Sequence, residues 1–310
     1  MTPTTATLRT LAVALVIALL PSASVAAATD DDPTYVPWPD LLPGLTTEYD
    51  PTSANLCTAG HVRCVDAVIR EMRSRLKPLA RPCDHDAVFA LVYLRTTEEY
   101  RRTIEDPDFF VDSAFVNHQV AVFAKLYFDA FDAWHQGNHD KVPPAWRVLF
   151  SAADKREVSG TGNLLLGMSA HVNRDLPLAL AEIGMVRPDG SSRKDDHNKV
   201  NQFLIRVVQP VIAEVARRFD PAADDGSIDG TTLDETATLQ LLFGWREEAW
   251  RNAERIAMAD TANEKAAVIR SIEDAALVKA KALKGQTAYR APLSSSAARD
   301  AWCSQHSDDA

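Results

Sequence analysis

Glycine is scarce, 12 in 310 residues. That excludes a sandwich or barrel built on many tight turns. Cysteine is limited to four residues, too few for a disulfide-knotted scaffold. Positive charge is in deficit: 33 Lys and Arg stand against 43 Asp and Glu, a formal charge of −10 with no basic run. Binding nucleic acid through phosphates needs clustered Lys and Arg, so nucleic acid is not an expected partner. Beyond the first 20 residues no stretch is long and apolar enough to span a membrane; even 203–216 carries Arg206 and Glu214. Strand-like alternation and fixed-period repeats are missing. So are the G-x-S-x-G elbow, the P-loop and the dinucleotide glycine fingerprint. What remains, 46% hydrophobic and 25% charged residues, has the composition of a globular protein.

The first 28 residues read as an address. Arg9 precedes the apolar run Leu11 to Leu20, Pro21 breaks it, and the small residues from Ser22 to Ala28 follow. This is the layout of a secretory signal peptide, with cleavage after Ala26 or Ala28. A secreted protein without stable membrane insertion is the expectation. Cys57, Cys64, Cys83 and Cys303 then point to two disulfides. Three connectivities exist, and Cys57–Cys64 with Cys83–Cys303 is favoured: the first closes a short loop at a helix entrance, the second pins the tail to the N-terminal half.

Residues 29–55, rich in Pro, Asp and Thr, read as an extended arm. From there to residue 310 nearly every apolar pattern has the 3.6-residue period of a helix. Helices are expected over Val62 to Leu76, ended before Pro78; from Asp84 to about Arg102; from Asp112 or Ser113 through Trp134; and from Pro143-Pro144 onward. Ser159 to Gly162 reads as a linker ahead of an apolar helix from Leu164 to Ile183. Helices over Asp196 to Phe219, Glu235 to Met258 and Asn263 to Leu283 complete the set, and the remainder reads as a tail. Inter-helix loops are short, so the expected fold is all-α, a single domain of about eight helices. Asp225-x-Ser227-x-Asp229-Gly230 resembles half of a calcium loop, but Thr236 stands where a Glu ligand belongs; a solvated connector is expected there.

Several polar residues fall on apolar helix faces. On the helix from Leu164 to Ile183, His171 and Asp175 share a face with Leu164, Gly167, Met168 and Leu178. Burying an imidazole and a carboxylate without partners costs several kcal/mol, of order 2–7. A metal, a catalytic arrangement or a hydrogen-bond network must compensate. His197 and Asn201 repeat the four-residue spacing. His118 lies on the face of Phe115, Val122 and Leu126, and His85 on that of Val88, Phe89 and Val92. His135 and His139 flank a polar loop and are expected to be solvated.

The runs Tyr93 to Glu98, Asn117-His118, Ala170-His171-Val172-Asn173-Arg174-Asp175-Leu176-Pro177 and Asn198-Lys199-Val200-Asn201 resemble blocks of an actinobacterial family catalogued as domain of unknown function 5995. That family implies no activity. The chain is also remotely similar to zinc-dependent phospholipase C and the single-strand-specific zinc nucleases, exported all-α proteins with a metal site. The order His85, Asp112, His118, His171 with Asp175, then His197 with Asn201 carries that likeness. It implies a zinc or other divalent metal held by His85, His118, His171, Asp175, His197 and Asn201. Trp38 is internal, Pro177 to Asp196 holds no further His, and Asn201 is a weak ligand, which points to one or two metals rather than three.

Two functions follow as expectations. One is a metal-dependent phosphoester or ester hydrolase acting on a small-molecule or cell-envelope substrate, with Asp86 or Asp112 as the general base. The other is a non-catalytic secreted protein that binds a ligand or wall component, its His/Asp cluster a structural network. Under both, His118, His171, Asp175 and His197 are expected to converge.

Overall fold

The computed structural model describes residues 46–223, 233–292 and 294–307. The signal peptide, Trp38, most of the arm and the calcium-like loop lie outside them. The described residues belong to one compact unit, Asp32–Ala310.

Nine helices follow in order among these residues. They are α1 Val62–Ala80, α2 Ala87–Thr103, α3 Ser113–His135, α4 Pro144–Asp154 and α5, which runs through Gly160–Ala170, His171–Asp175 and Leu176–Ile183. Then come α6 Lys194–Arg218, α7 Leu233–Ala257, α8 Ala262–Gln286 and α9 Ser296–His306. Pairing in the strand manner is confined to two isolated bridges, Val158 with Ala288 and Val186 with Ser192. The all-α expectation holds.

α5 is the axis. None of its residues is exposed, so the helix runs through the core and its polar residues must find partners there. It packs on α2, α3, α4, α7 and α8. Its start departs from the expected linker: Ser159 caps the helix by accepting from the Gly162 N–H at 3.2 Å. Gly160 and Gly162 serve close packing, because a Cβ on either would fall within 3 Å of Asp220 or of Thr287 and Val158. Gly167 faces Phe89 of α2, and a Cβ there would lie 2.1 Å from its ring. Only glycine lets these helices approach so closely.

Other ends differ in instructive ways. α1 continues past Pro78 to Ala80, because Leu76, Leu79 and Ala80 are all buried; for a proline one turn from the end, apolar burial outweighs a single missing hydrogen bond. His61 caps α1, its Nδ1 accepting from the Arg63 N–H at 3.1 Å. The expected tail contains a helix, α9. Its Cys303 is bonded to Cys83, and Cys57 to Cys64. In the chain-entropy picture the long loop contributes about 5 kcal/mol and the short one about half that. Arg299 of α9 donates to the carbonyls of Cys83 and Asp84, and Arg218 of α6 to that of Ser307. Among the described residues no helix is long and apolar enough to cross a membrane.

Candidate functional site

A cleft opens between α2, α3, α5, α6 and α7. It is open to solvent at its mouth. Phe89, Tyr93, Phe123, Phe203, Leu204 and Val207 are representative of its apolar walls, and the basic groups reaching it are few: His171 and Arg246.

His171 stands on the one irregular turn of α5. Residues His171–Asp175 form a π-helical turn, a feature common at functional sites. Pro177, two residues on, lacks the N–H an α ladder would aim at the Asn173 carbonyl, so the regular ladder cannot run through unbroken. The ring stacks on Phe123 with centroids 3.5 Å apart, edge-on to Tyr93 at 4.6 Å. Its Nδ1 lies 2.8 Å from Asp175 Oδ2. A carboxylate only accepts, so Nδ1 carries the proton and Nε2 keeps a lone pair. That Nε2 is buried and has no hydrogen-bond partner. Burial lowers the pKa of His171, only partly opposed by Asp175, which keeps the ring neutral.

Asp175 is wholly buried and fully engaged. Oδ2 also accepts from Trp146 Nε1 at 3.0 Å, and Oδ1 from Arg174 Nη1 at 2.8 Å. Arg174 in turn donates to Glu273 at 2.7 Å. Burial alone would drive its proton off, but Glu273 and Asp175 reverse this and raise its pKa.

The second pair serves another master. His197 Nε2 donates to the Arg246 carbonyl at 3.1 Å. Arg246 Nη2 donates to the His197 carbonyl at 2.6 Å and lies 3.5 Å from its Nδ1, while Arg246 Nε donates to Asn201 Oδ1 at 2.7 Å. Burial and the Arg246 guanidinium hold His197 well below its usual pKa.

The remaining candidates lie in separate surroundings. Each ring nitrogen of His118 is 3.0 Å from a backbone carbonyl, of Cys57 and Thr47, so this residue pins the arm. His85 donates to Asp300 at 3.1 Å; burial, reinforced by Arg299, lowers its pKa to about 4. Asp86 caps nothing with its side chain, and burial raises it to about 7 although His135 lies 3.4 Å away. That contact raises the pKa of His135, whose residue is exposed at the surface as expected. Asp112 caps α3 and accepts from Arg193 at 2.9 Å.

His171 joins Asp175, and His197 joins Asn201 through Arg246; His118 meets neither group. No set of three or more His, Cys, Asp or Glu among the described residues is arranged to hold a metal. The ring nitrogens of His118 are taken by carbonyls, a guanidinium sits against His197, and Asp175 is saturated by three donors. These residues do not fit a zinc centre.

Arg246, Trp146, Arg174 and Phe123 were not singled out from the sequence. A signal existed for Arg246: it continues the apolar stripe of Leu242, Ala249, Trp250 and Ala253 on α7, all buried, by the same spacing rule that revealed His171.

The profile of the family of unknown function DUF5995 matches residues 65–286. The chain belongs to this family. The match takes in every helix that walls the cleft. No curated protein and no solved structure matches the chain, so for DUF5995 the site must be read from its own chemistry.

Proposed function

We propose that this DUF5995 protein binds an elongated apolar small molecule in the cleft of α2, α3, α5, α6 and α7. The observation that carries this reading is the lining of the cleft: aromatic and aliphatic side chains with few polar atoms, as the walls of small-molecule sites are built. The neutral His171 would offer a fixed acceptor to a ligand hydroxyl. The two disulfides, with no free cysteine among the described residues, suit an oxidising compartment, and export by the N-terminal segment belongs to the same proposal. Titration with the neutral fluorophore N-phenyl-1-naphthylamine tests it. Saturable binding at one site per chain is expected, lost in Val208→Trp, which fills the cleft from its half-buried wall. Absence of binding to the wild type overturns the reading.

A second reading has its own observation, the unpartnered Nε2 of a His–Asp pair in a cleft. His171 would deprotonate a water attacking an ester carbonyl, with Asp175 holding the Nδ1 proton. This is metal-free hydrolysis. It predicts turnover of an aryl ester that is lost in His171→Gln and indifferent to chelators.

A further inference from the structure

Five arginines are buried among the described residues: Arg174, Arg193, Arg218, Arg246 and Arg299. Four have a carboxylate within 3.1 Å, from Asp175 and Glu273, Asp112, Glu214 and Asp300 respectively. Arg246 has none among the described residues. Its neighbours on α7, Glu247 and Glu248, are taken by Lys194 and Arg251 and by Lys279. The groups that do hold Arg246 are neutral: the Asn201 amide oxygen and the His197 carbonyl. Both fix its orientation and neither balances its charge. A buried, hydrogen-bonded but uncompensated cation is costly unless an anion arrives. Burial lowers its pKa to about 9, the reverse of what happens to Arg174.

Arg246 is also part of the cleft wall. We propose that its guanidinium receives the head group of the cleft's occupant, and that this occupant is a long-chain monocarboxylate. The proposal rests on the binding reading above and adds the ligand's class. The cleft's lining supplies the apolar half of the recognition, and Nη1, uncommitted among the described residues, supplies the charged half. A carboxylate fits better than a phosphate. The cleft lining holds one guanidinium and no lysine, and two of its nitrogens are already engaged. Doubly charged phosphate is ordinarily met by clustered cations or several donors.

Displacement of bound N-phenyl-1-naphthylamine by matched ligands tests the proposal. Dodecanoate, dodecanol and dodecyl phosphate share one chain and differ in the head. In the wild type dodecanoate should displace the probe at concentrations at least about tenfold lower than dodecanol, as a charge-assisted contact in a dry site implies. Asn201→Asp is isosteric and gives Arg246 an internal counter-charge. It should abolish the preference for dodecanoate while the probe still binds. Arg246→Met should do the same, and should Arg246→Met not fold, Asn201→Asp decides alone. Equal displacement by dodecanoate and dodecanol, or a preference that survives Asn201→Asp, overturns the head-group assignment and leaves the binding reading standing. Tighter displacement by dodecyl phosphate overturns the carboxylate class. Failure of the wild type to bind the probe removes the binding reading and this inference with it.

Discussion

On α5 and α6 the chain places the same device, a histidine with a polar residue four positions on, and packing turns the two into different things. His171 and Asp175 bond to each other at 2.8 Å, and Asp175 anchors a network that reaches Trp146, Arg174 and Glu273. His197 and Asn201 both hold Arg246, from which one accepts through its carbonyl and the other through its amide. The first site gives its arginine two carboxylates and leaves one imidazole lone pair over; the second gives its arginine none among the described residues. Helical spacing sets which residues share a face, and the helices packed against that face decide what they meet.

The comparison can be broken most forcibly at Asp175. Asp175→Ala strips Arg174 and Trp146 of their shared acceptor, and chemical denaturation should register a loss of about 3–5 kcal/mol. His171→Phe keeps the ring stacked on Phe123 and removes one donor to Asp175, so the loss should be smaller, about 1–3 kcal/mol. If the two variants cost the same, the network is not centred on the carboxylate.

Acid should separate the sites further. Burial holds both histidines below their usual pKa, so below about pH 6.5 the unfolded chain binds protons the folded chain refuses. Stability therefore falls as pH drops through that window, by at most about 1.4 kcal/mol per pH unit for each histidine. His85 adds to the slope in the same direction until about pH 4. Asp175 opposes the shift of His171 while Arg246 deepens that of His197. Urea midpoints measured between about pH 7 and 5 should therefore flatten more in His197→Gln than in His171→Gln, and equal slopes would contradict the contrast.

The mildest change sharpens the comparison. Asn201→Asp makes the second site resemble the first by giving its arginine a carboxylate. A gain of about 1 kcal/mol is expected in the same denaturation experiment, and a loss would mean that Arg246 is not in need of a counter-charge.

Much of this was legible in the chain. The 3.6-residue period marked nearly every helix, and the apolar character of 164–183 marked that stretch as a core helix. Besides the end of α1 at Pro78, two boundaries misled, for physical reasons. Gly160 and Gly162 resemble a flexible linker, yet they open α5 because Asp220, Thr287 and Val158 leave no room for a Cβ. Ser296 to His306 resembles a tail, yet it is a helix tied down by Cys303 and by the contacts of Arg299. Among the site residues, the inward turn of His171, Asp175 and His197 was readable from their faces. Arg246 obeyed the same rule and escaped notice, since a charged residue is ordinarily solvated.

By itself the sequence determined the helical class, the buried central helix and the presence of polar groups inside it, because periodicity and composition are local properties of a chain. Only the tertiary structure decided that His118 meets two carbonyls, that His171 lines a cleft, and that Arg246 lies buried with no carboxylate beside it among the described residues. Those outcomes depend on which residues, 71 positions apart for His118 and Thr47 and 99 for Arg174 and Glu273, are brought within hydrogen-bonding distance of about 3 Å when helices cross. No spacing along one helix contains that information.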